Sequence, residues 1–448
     1  MIGTLMICNR GEVALRIVRA CRELGIRSVV AHSSADRRSL PVRLADDSVC
    51  VGPAPPDHSY RNIPALLYAC ARAGADAVHP GYGFLAEDPD FAAACRDSGL
   101  VWVGPPPEHI ALLGDKIATR SEMRAAGLPV LPGTDRPLTD VADALRHARH
   151  LGFPVALKAV AGGGGRGITR SDTPDALAEA FPRIRDASRA LFRDERLYLE
   201  KWVEGARHVE VQVLADARGG VVHLGERDCT TQHLNQKVIE ESPAPRLSTQ
   251  HRRRLTDWAV QGARHLRLRN LATFEFLVAE AGESFFTEVN PRLQVEHPVT
   301  EARSGCDLVT WMISEAAGAD VPLHQDRVEL RGHAIEARIT AQDPRRDWAA
   351  SAGTVTDLEL PGGPGIRVDT WLTPGTRVPP HYDALLAKVT AWGPDRETAR
   401  RRLLGAVGEF TCVGVRHNAP AVTAVLDHTD FADGRHRAGI LEQAWTTR

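Results

Sequence analysis

From Leu5 to Val103 short apolar runs alternate with amphipathic stretches, and that order constrains what the N-terminal part of the chain can become. Leu5 to Cys8 reads as a buried strand. Glu12 to Leu24 carries apolar residues at helical spacing and is closed by Gly25. Ser28 to Ala31 is a second strand. Ala77 and Val78 lead into His79-Pro-Gly-Tyr-Gly-Phe-Leu85, and Val101 to Val103 ends at Gly104-Pro-Pro-Pro107. Strands alternating with helices in this way imply a doubly wound parallel sheet. The turn Asn9-Arg-Gly-Glu12 lacks the three-glycine dinucleotide fingerprint, so no cofactor is assigned to it.

A chain of 448 residues exceeds what one core supports and should divide into roughly two to four domains. The proline-rich stretch Leu128-Pro-Val-Leu-Pro-Gly133 marks one boundary. Net charge is -2, which gives no electrostatic case for nucleic acid or for an anionic membrane. Arg252, Arg253 and Arg254 read as one solvated helix face. No apolar run approaches the ~20 residues of a membrane span, and Leu5 to Cys8 is too short for a signal sequence. The eight cysteines form no Cys-x-x-Cys pair and fit reduced, buried thiols. A cytoplasmic protein is expected.

The polar residues of Glu288-Val-Asn-Pro-Arg-Leu-Gln-Val-Glu296 all fall on even positions, whereas Val289, Leu293 and Val295 fall on odd ones. On an extended chain the even set would share one face. A carboxylate and an amide at ligand spacing, then a guanidinium, a second amide and a second carboxylate, suit a metal together with a small anion. Glu275 lies inside the apolar strand Thr273 to Leu277, where an unpaired carboxylate is costly and needs a cation. Glu275, Glu288 and Asn290 could therefore share magnesium, a hard ion that takes oxygen ligands.

Lysine usage points the same way. Of 55 lysines and arginines only Lys116, Lys158, Lys201, Lys237 and Lys388 are lysine. An ammonium is a compact point charge that a guanidinium does not replace, so these positions demand it. Lys158 sits on the strand Pro154 to Val160, just before four consecutive glycines, Gly162 to Gly165, then Arg166 and Gly167. Glycine amides approach phosphate oxygens closely and let a loop close over a nucleotide. The run does not end in the Gly-Lys-Ser/Thr of a P-loop. Leu197 to Val203 is a further strand, carrying the polar pair Glu200-Lys201, and His208, Glu210 and Gln212 alternate on the next.

Colinear along nearly the whole chain, Asn9-Arg-Gly-Glu-Val-Ala14, His79 to Leu85, the glycine loop, Glu226-Arg-Asp-Cys229, Glu288 to Thr300 and Val378-Pro-Pro-His-Tyr-Asp383 resemble the ATP-grasp enzymes and, within them, biotin carboxylase. The resemblance implies an α/β fold with an N-terminal doubly wound domain (1–113), an ATP-grasp domain (114–330) with a glycine-loop lid (about 132–203), and a biotin carboxylase C-terminal domain (331–446). It implies ATP contacts from Lys116, Lys158, Gly163, Gly164, Gly165, Arg166 and Gly167. Glu200, Lys201 and Val203 would meet the adenine edge, Leu277 the base, and His208 and Gln232 the ribose. Lys237, Arg292, Gln294 and the Val295 backbone would cradle bicarbonate, Glu296 would be its general base, and Arg338 would stabilise the biotin enolate. Magnesium, or manganese, would sit on Glu275, Glu288 and Asn290.

The implied reaction carboxylates biotin with bicarbonate and ATP through carboxyphosphate, the first half-reaction of an acyl-CoA carboxylase such as acetyl-CoA carboxylase. Biotin in such systems is carried on a lysine flanked by methionines, and none of the five lysines here has a methionine neighbour. A separate biotin carboxyl carrier protein and a carboxyltransferase are therefore expected as partners. A homodimer with Arg19 and Glu23 at its interface is also expected. The chain departs from the family at Gln232-His-Leu-Asn-Gln-Lys237, where the family reads Gln-Arg-Arg-His-Gln-Lys, and at Pro364, where it often has an aromatic residue at the dimer contact. Two other classes share part of this pattern: an ATP-grasp ligase joining a carboxylate to an amine, and a non-catalytic paralogue. The combination of Arg292, Gln294, Glu296 and Arg338 separates the family from both.

Overall fold

Leu5 and Ile7 pack into one apolar core and Met6 and Cys8 into another, so the first strand must lie inside a sheet covered on both faces. In the computed structural model, which describes residues 2–163, 165, 167–319 and 324–446, this is β1 (Thr4–Ile7). It is followed by α1 (Gly11–Leu24), β2 (Arg27–Ser33), β3 (Asp47–Gly52), β4 (Ala77–His79) and β5 (Val101–Trp102). The sheet order is β3-β2-β1-β4-β5 and all pairings are parallel. This is the doubly wound arrangement read from the alternation. Gly25 ends α1 at φ 68°, in the left-handed region.

The next segment runs through α2 (Lys116–Ala125), α3 (Val141–Leu151), β6 (Val155–Ala159), β7 (Ile168–Ser171), α4 (Pro174–Phe192) and β8 (Leu197–Lys201). β6 is the middle strand of a three-stranded antiparallel sheet, β7-β6-β8. Val155, Leu157, Ala159, Leu197 and Leu199 turn into an apolar core with Ala144, Ala148, Leu177 and Phe181 of the two helices. With a period of two, Lys158 and Glu200 face the opposite side. Gly164 and Arg166 of the glycine run lie outside the described residues.

The largest sheet comprises β9 (Arg207–Ala215), β10 (Val221–His233), β11 (Gln236–Ser242), β12 (Asn270–Val278) and β13 (Ser284–Asn290). After α5 (His297–Ser304) it continues with β14 (His333–Thr340), β15 (Ile366–Thr370) and β16 (Leu385–Gly393), the last followed by α6 (Arg396–Glu409). Its order is β13-β12-β9-β10-β11-β14-β16-β15, antiparallel throughout. On β9, Val209, Val211 and Val213 enter a core with Phe274 and Phe276, leaving His208, Glu210 and Gln212 on the other face. Among the described residues no helix is long and apolar enough to cross a membrane.

Two expectations are corrected. The strand read from Glu288 through Glu296 stops at Asn290, because Pro291 has no N–H to continue the ladder; Arg292 to Glu296 form a loop that leads into α5. The arginine cluster is not a uniform solvated face. Arg253 and Arg254 are exposed, the latter 5.7 Å from the Trp258 ring centroid, but Arg252 pairs with the fully buried Glu226.

Arg227 ties the large sheet to α5. Fully buried, it donates to Glu210 (2.6 Å) and Gln212 (2.8 Å) on β9, Thr273 (3.2 Å) on β12 and Thr300 (2.9 Å) on α5. Removing one partner of a buried ion pair strands the other. Arg227→Ala is expected to lower stability by about 3–5 kcal/mol in urea unfolding; a change under about 1 kcal/mol would show the guanidinium to be dispensable.

Candidate active site

The antiparallel register lines up Glu288, Glu275, Glu210 and Arg227 as one row across β13, β12, β9 and β10. Neighbours in such a row are within side-chain reach. Like charges side by side are destabilising unless a cation comes between them, and Lys237, at the start of β11, supplies it. Its Nζ donates to Glu210 (2.6 Å), Glu275 (3.1 Å) and Glu296 (2.7 Å). The second oxygen of Glu296 accepts from Arg338 Nη2 (3.0 Å), and Arg338 Nε donates to Glu240 (2.5 Å). Glu210, Glu240 and Glu296 are completely buried.

The electrostatics follow from this packing. Burial opposes ionisation of Glu296, but Lys237 and then Arg338 outweigh it and hold its carboxyl well below the usual range. Glu275 behaves alike, with burial overcome by Lys237 and His208, whose Nε2 lies 2.8 Å from Glu275 Oε2. Burial works against the Lys237 ammonium too, yet Glu210, Glu275 and Glu296 raise it well above an ordinary lysine. His208, Glu210 and Glu275 bring ligand atoms within 4.8 Å of one another, but Lys237 already serves as the cation among them.

The residues named for a metal share Glu275 with this cluster, its Oε1 meeting both Lys237 and Asn290. Asn290 Nδ2 lies 2.8 Å from Glu275 Oε1 and 3.4 Å from Glu288 Oε1, and Lys116 Nζ is 2.7 Å from the other Glu288 oxygen. Two carboxylates and an amide, whose oxygen takes the place of its nitrogen after a half-turn, form a hard donor set that fits magnesium. Lys158 and Arg120 both pair with Glu200, which is fully buried. The Lys201 ammonium donates to the Gly152 (2.8 Å) and Phe153 (3.2 Å) carbonyls at the end of α3. The backbone N–H of Lys201 donates to the Pro132 carbonyl (2.8 Å), which leaves the Lys201 carbonyl and the backbone at Val203 to line the strand end.

His208 and Gln232 are joined at 3.0 Å, and Leu277 is the cross-strand partner of His208. Arg292 lies 2.8 Å from Glu87, and its Nη1 donates to Gln294 Oε1 at 2.9 Å. The altered segment forms the β10–β11 hairpin turn, with Leu234 and Asn235 at φ 47° and 64°. This pair of left-handed residues suits a two-residue hairpin, and asparagine tolerates it. His233 stacks on Trp348 with centroids 4.1 Å apart. Asn235 Nδ2 donates to the Gly165 carbonyl at 3.2 Å, and a Cβ on Gly165 would lie 2.4 Å from Asn235 Cβ. Gly163 and Gly167 flank this contact. The glycine loop thus rests on the hairpin that leads into Lys237.

Several residues of this constellation were not singled out from the sequence. Glu210 was noted only for its alternation, and Arg227 only as part of a motif. Arg120, Glu87 and Glu240 carry no local signal, since their partners Glu200, Arg292 and Arg338 come from distant segments.

Family models match residues 1–110 (biotin carboxylase, N-terminal domain), 115–324 (carbamoyl-phosphate synthase L chain, ATP binding domain) and 336–443 (biotin carboxylase C-terminal domain). The chain is 44% identical over 444 residues to a biotin carboxylase of Haemophilus influenzae, covering 99% of each. It superposes with a TM-score of 0.96 and 39% identity on the biotin carboxylase domain dimer of Hydrogenobacter thermophilus 2-oxoglutarate carboxylase, covering 99% of this chain and 98% of that one. That structure is a complex with MgADP, ADP and bicarbonate. A biotin carboxylase–βγ-ATP complex from Campylobacter jejuni gives a TM-score of 0.96 at 37% identity, covering 99% of each chain.

Glu240 titrates in the opposite sense to Glu296. Burial, against the pull of Arg338, pushes its carboxyl from 4.5 up to about 7. The folded protein then binds this proton more tightly than the unfolded chain, so the contribution to stability is complete below about pH 4 and is lost as pH rises through about 7. The melting temperature of Glu240→Gln relative to the parent should therefore climb between about pH 5 and about pH 8. A constant difference would show that the carboxyl does not titrate in that window.

Proposed function

The chain belongs to the biotin carboxylase family, and on that premise we propose that Lys237, Arg292, Gln294 and the Val295 backbone hold bicarbonate beside Glu296, its general base. Its reaction is the ATP-dependent carboxylation of biotin by bicarbonate. The observation that carries the residue assignment is the pairing of Glu296 with Lys237 (2.7 Å) and Arg338 (3.0 Å). A base must be ionised to accept a proton, and these two cations keep it so. The same cations limit its proton affinity, so the acid it meets must itself be acidified, which Lys237 and Arg292 beside bicarbonate would do.

Lys116 and Lys158 carry point charges to the nucleotide phosphates, and the amides of Gly163, Gly165 and Gly167 approach them closely. Glu200, Lys201 and Val203 meet the adenine edge, the two latter through their backbone. Leu277 packs on the base, and His208 and Gln232 hold the ribose. Magnesium, or manganese, would be held by Glu275, Glu288 and Asn290 and would offset negative charge on the nucleotide phosphates. Glu296 takes the bicarbonate proton and the resulting oxyanion attacks the γ-phosphate, giving carboxyphosphate and ADP. Carboxyphosphate splits into carbon dioxide and phosphate. Phosphate takes the N1 proton of biotin, and the enolate, stabilised by Arg338, attacks carbon dioxide. Water would hydrolyse the intermediate, which gives the closing glycine loop its purpose.

Beyond this chemistry, the proposed context is the first step of an acyl-CoA carboxylase, of the acetyl-CoA type that feeds fatty acid biosynthesis, in the cytoplasm. Biotin arrives on a separate carrier protein and a carboxyltransferase takes the product onward, a division supported by the lack of a methionine-flanked lysine. The domains divide as 1–113, 114–330 with a lid at about 132–203, and 331–446. A homodimer is supported by the exposed positions of Arg19 and Glu23 and by the dimer of the Hydrogenobacter thermophilus relative, whereas Pro364 is the position at that contact where this chain departs from the family.

Phosphate release from magnesium ATP should require bicarbonate and rise with free biotin. Glu296→Gln should lower that release by about 100-fold or more while ATP still binds; unchanged turnover would refute the base assignment. Light scattering at micromolar concentration should give twice the chain mass, and a strict monomer would remove the dimer.

A further inference from the structure

Four of the five lysines lie in the segments discussed above, and the fifth, Lys388, has no role in them. It stands on β16 with Arg338 of β14 and Asp369 of β15 as its cross-strand partners, so its side chain shares the face that carries Arg338. It is completely buried. Its Nζ donates to the Val295 carbonyl at 3.0 Å and lies 3.2 Å from Glu12 Oε2 on α1. The other Glu12 oxygen accepts from the Tyr82 hydroxyl of the His79 to Leu85 loop. One ammonium thus joins the C-terminal sheet, the N-terminal helix and the loop that ends in Glu296.

We propose that Lys388 is a positioning residue for the bicarbonate loop, holding the Val295 carbonyl so that Glu296 projects toward Lys237 and Arg338. The Val295 carbonyl and the Glu296 N–H belong to one planar peptide, so fixing that oxygen fixes the direction in which Glu296 leaves the chain. Charge balance alone does not explain the lysine. Burial, only partly offset by Lys388, raises Glu12 to about 7, and against burial Lys388 with Arg367 holds the Asp369 carboxyl below its usual range. The carbonyl is the partner that demands a donor, and the ammonium meets it together with Glu12 on a different element.

The inference rests on the bicarbonate reading above, and its test separates the two. In the parent protein, ATP cleavage that ignores bicarbonate would overturn that reading and this one with it. Given bicarbonate dependence, Lys388→Met should raise KM for bicarbonate about tenfold with magnesium ATP binding unchanged. The double variant Lys388→Met/Glu12→Gln removes the stranded carboxylate. It should recover the melting temperature but keep the raised KM, because Val295 still lacks its donor, and it carries the test if the single variant does not fold. An unchanged KM in Lys388→Met, or recovery of KM together with stability in the double variant, would reduce Lys388 to a structural charge and overturn the proposal.

Discussion

Three buried carboxylates converge on one ammonium, and much of the architecture around the site serves to keep them there. Glu210, Glu275 and Glu296 come from two strands and a loop, and none could lie beside the others without Lys237. Carboxylates this close raise one another's proton affinity unless a cation is present. The cation comes from a strand begun by a tight hairpin, so the short turn at Leu234 and Asn235 and the central electrostatics are consecutive parts of one chain segment. Arg227 beneath and Arg338 beside complete the balance.

The fold was legible where periodicity was clean. The N-terminal alternation gave a doubly wound sheet because its strands have apolar centres and its helix ends in glycine. The even-numbered polar residues after Glu288 were read as one strand, which held only to Asn290. Alternation in a loop with a proline mimics a strand in sequence, and only the missing N–H of Pro291 distinguishes the two. The polar residues beyond it still reach the site, since Gln294 and Glu296 are buried, but through a loop and a helix start.

The candidate site was legible in its charges and less so in their partners. Lysine scarcity marked all five positions, yet said nothing of what each ammonium meets. Lys201 turned to backbone carbonyls of the lid, and Lys388 to a carbonyl and a carboxylate on two other parts of the molecule. Partners such as Glu87, Arg120 and Glu240 depend on tertiary closure between segments far apart in sequence. No local pattern announces them.

The pairing of β11 with β14 makes the eight-stranded sheet continuous from Glu288 to Lys388, whereas Lys158 and Glu200 belong to a separate three-stranded sheet. The molecule is therefore divided into a chassis and a door. In the function proposed above, the smaller sheet carries the lid that closes over nucleotide. Lys237, Glu296 and Arg338 meanwhile keep their mutual spacing, because they are anchored to the chassis. A short-lived intermediate benefits from that division, since the groups that must meet it need not be reassembled at each turnover.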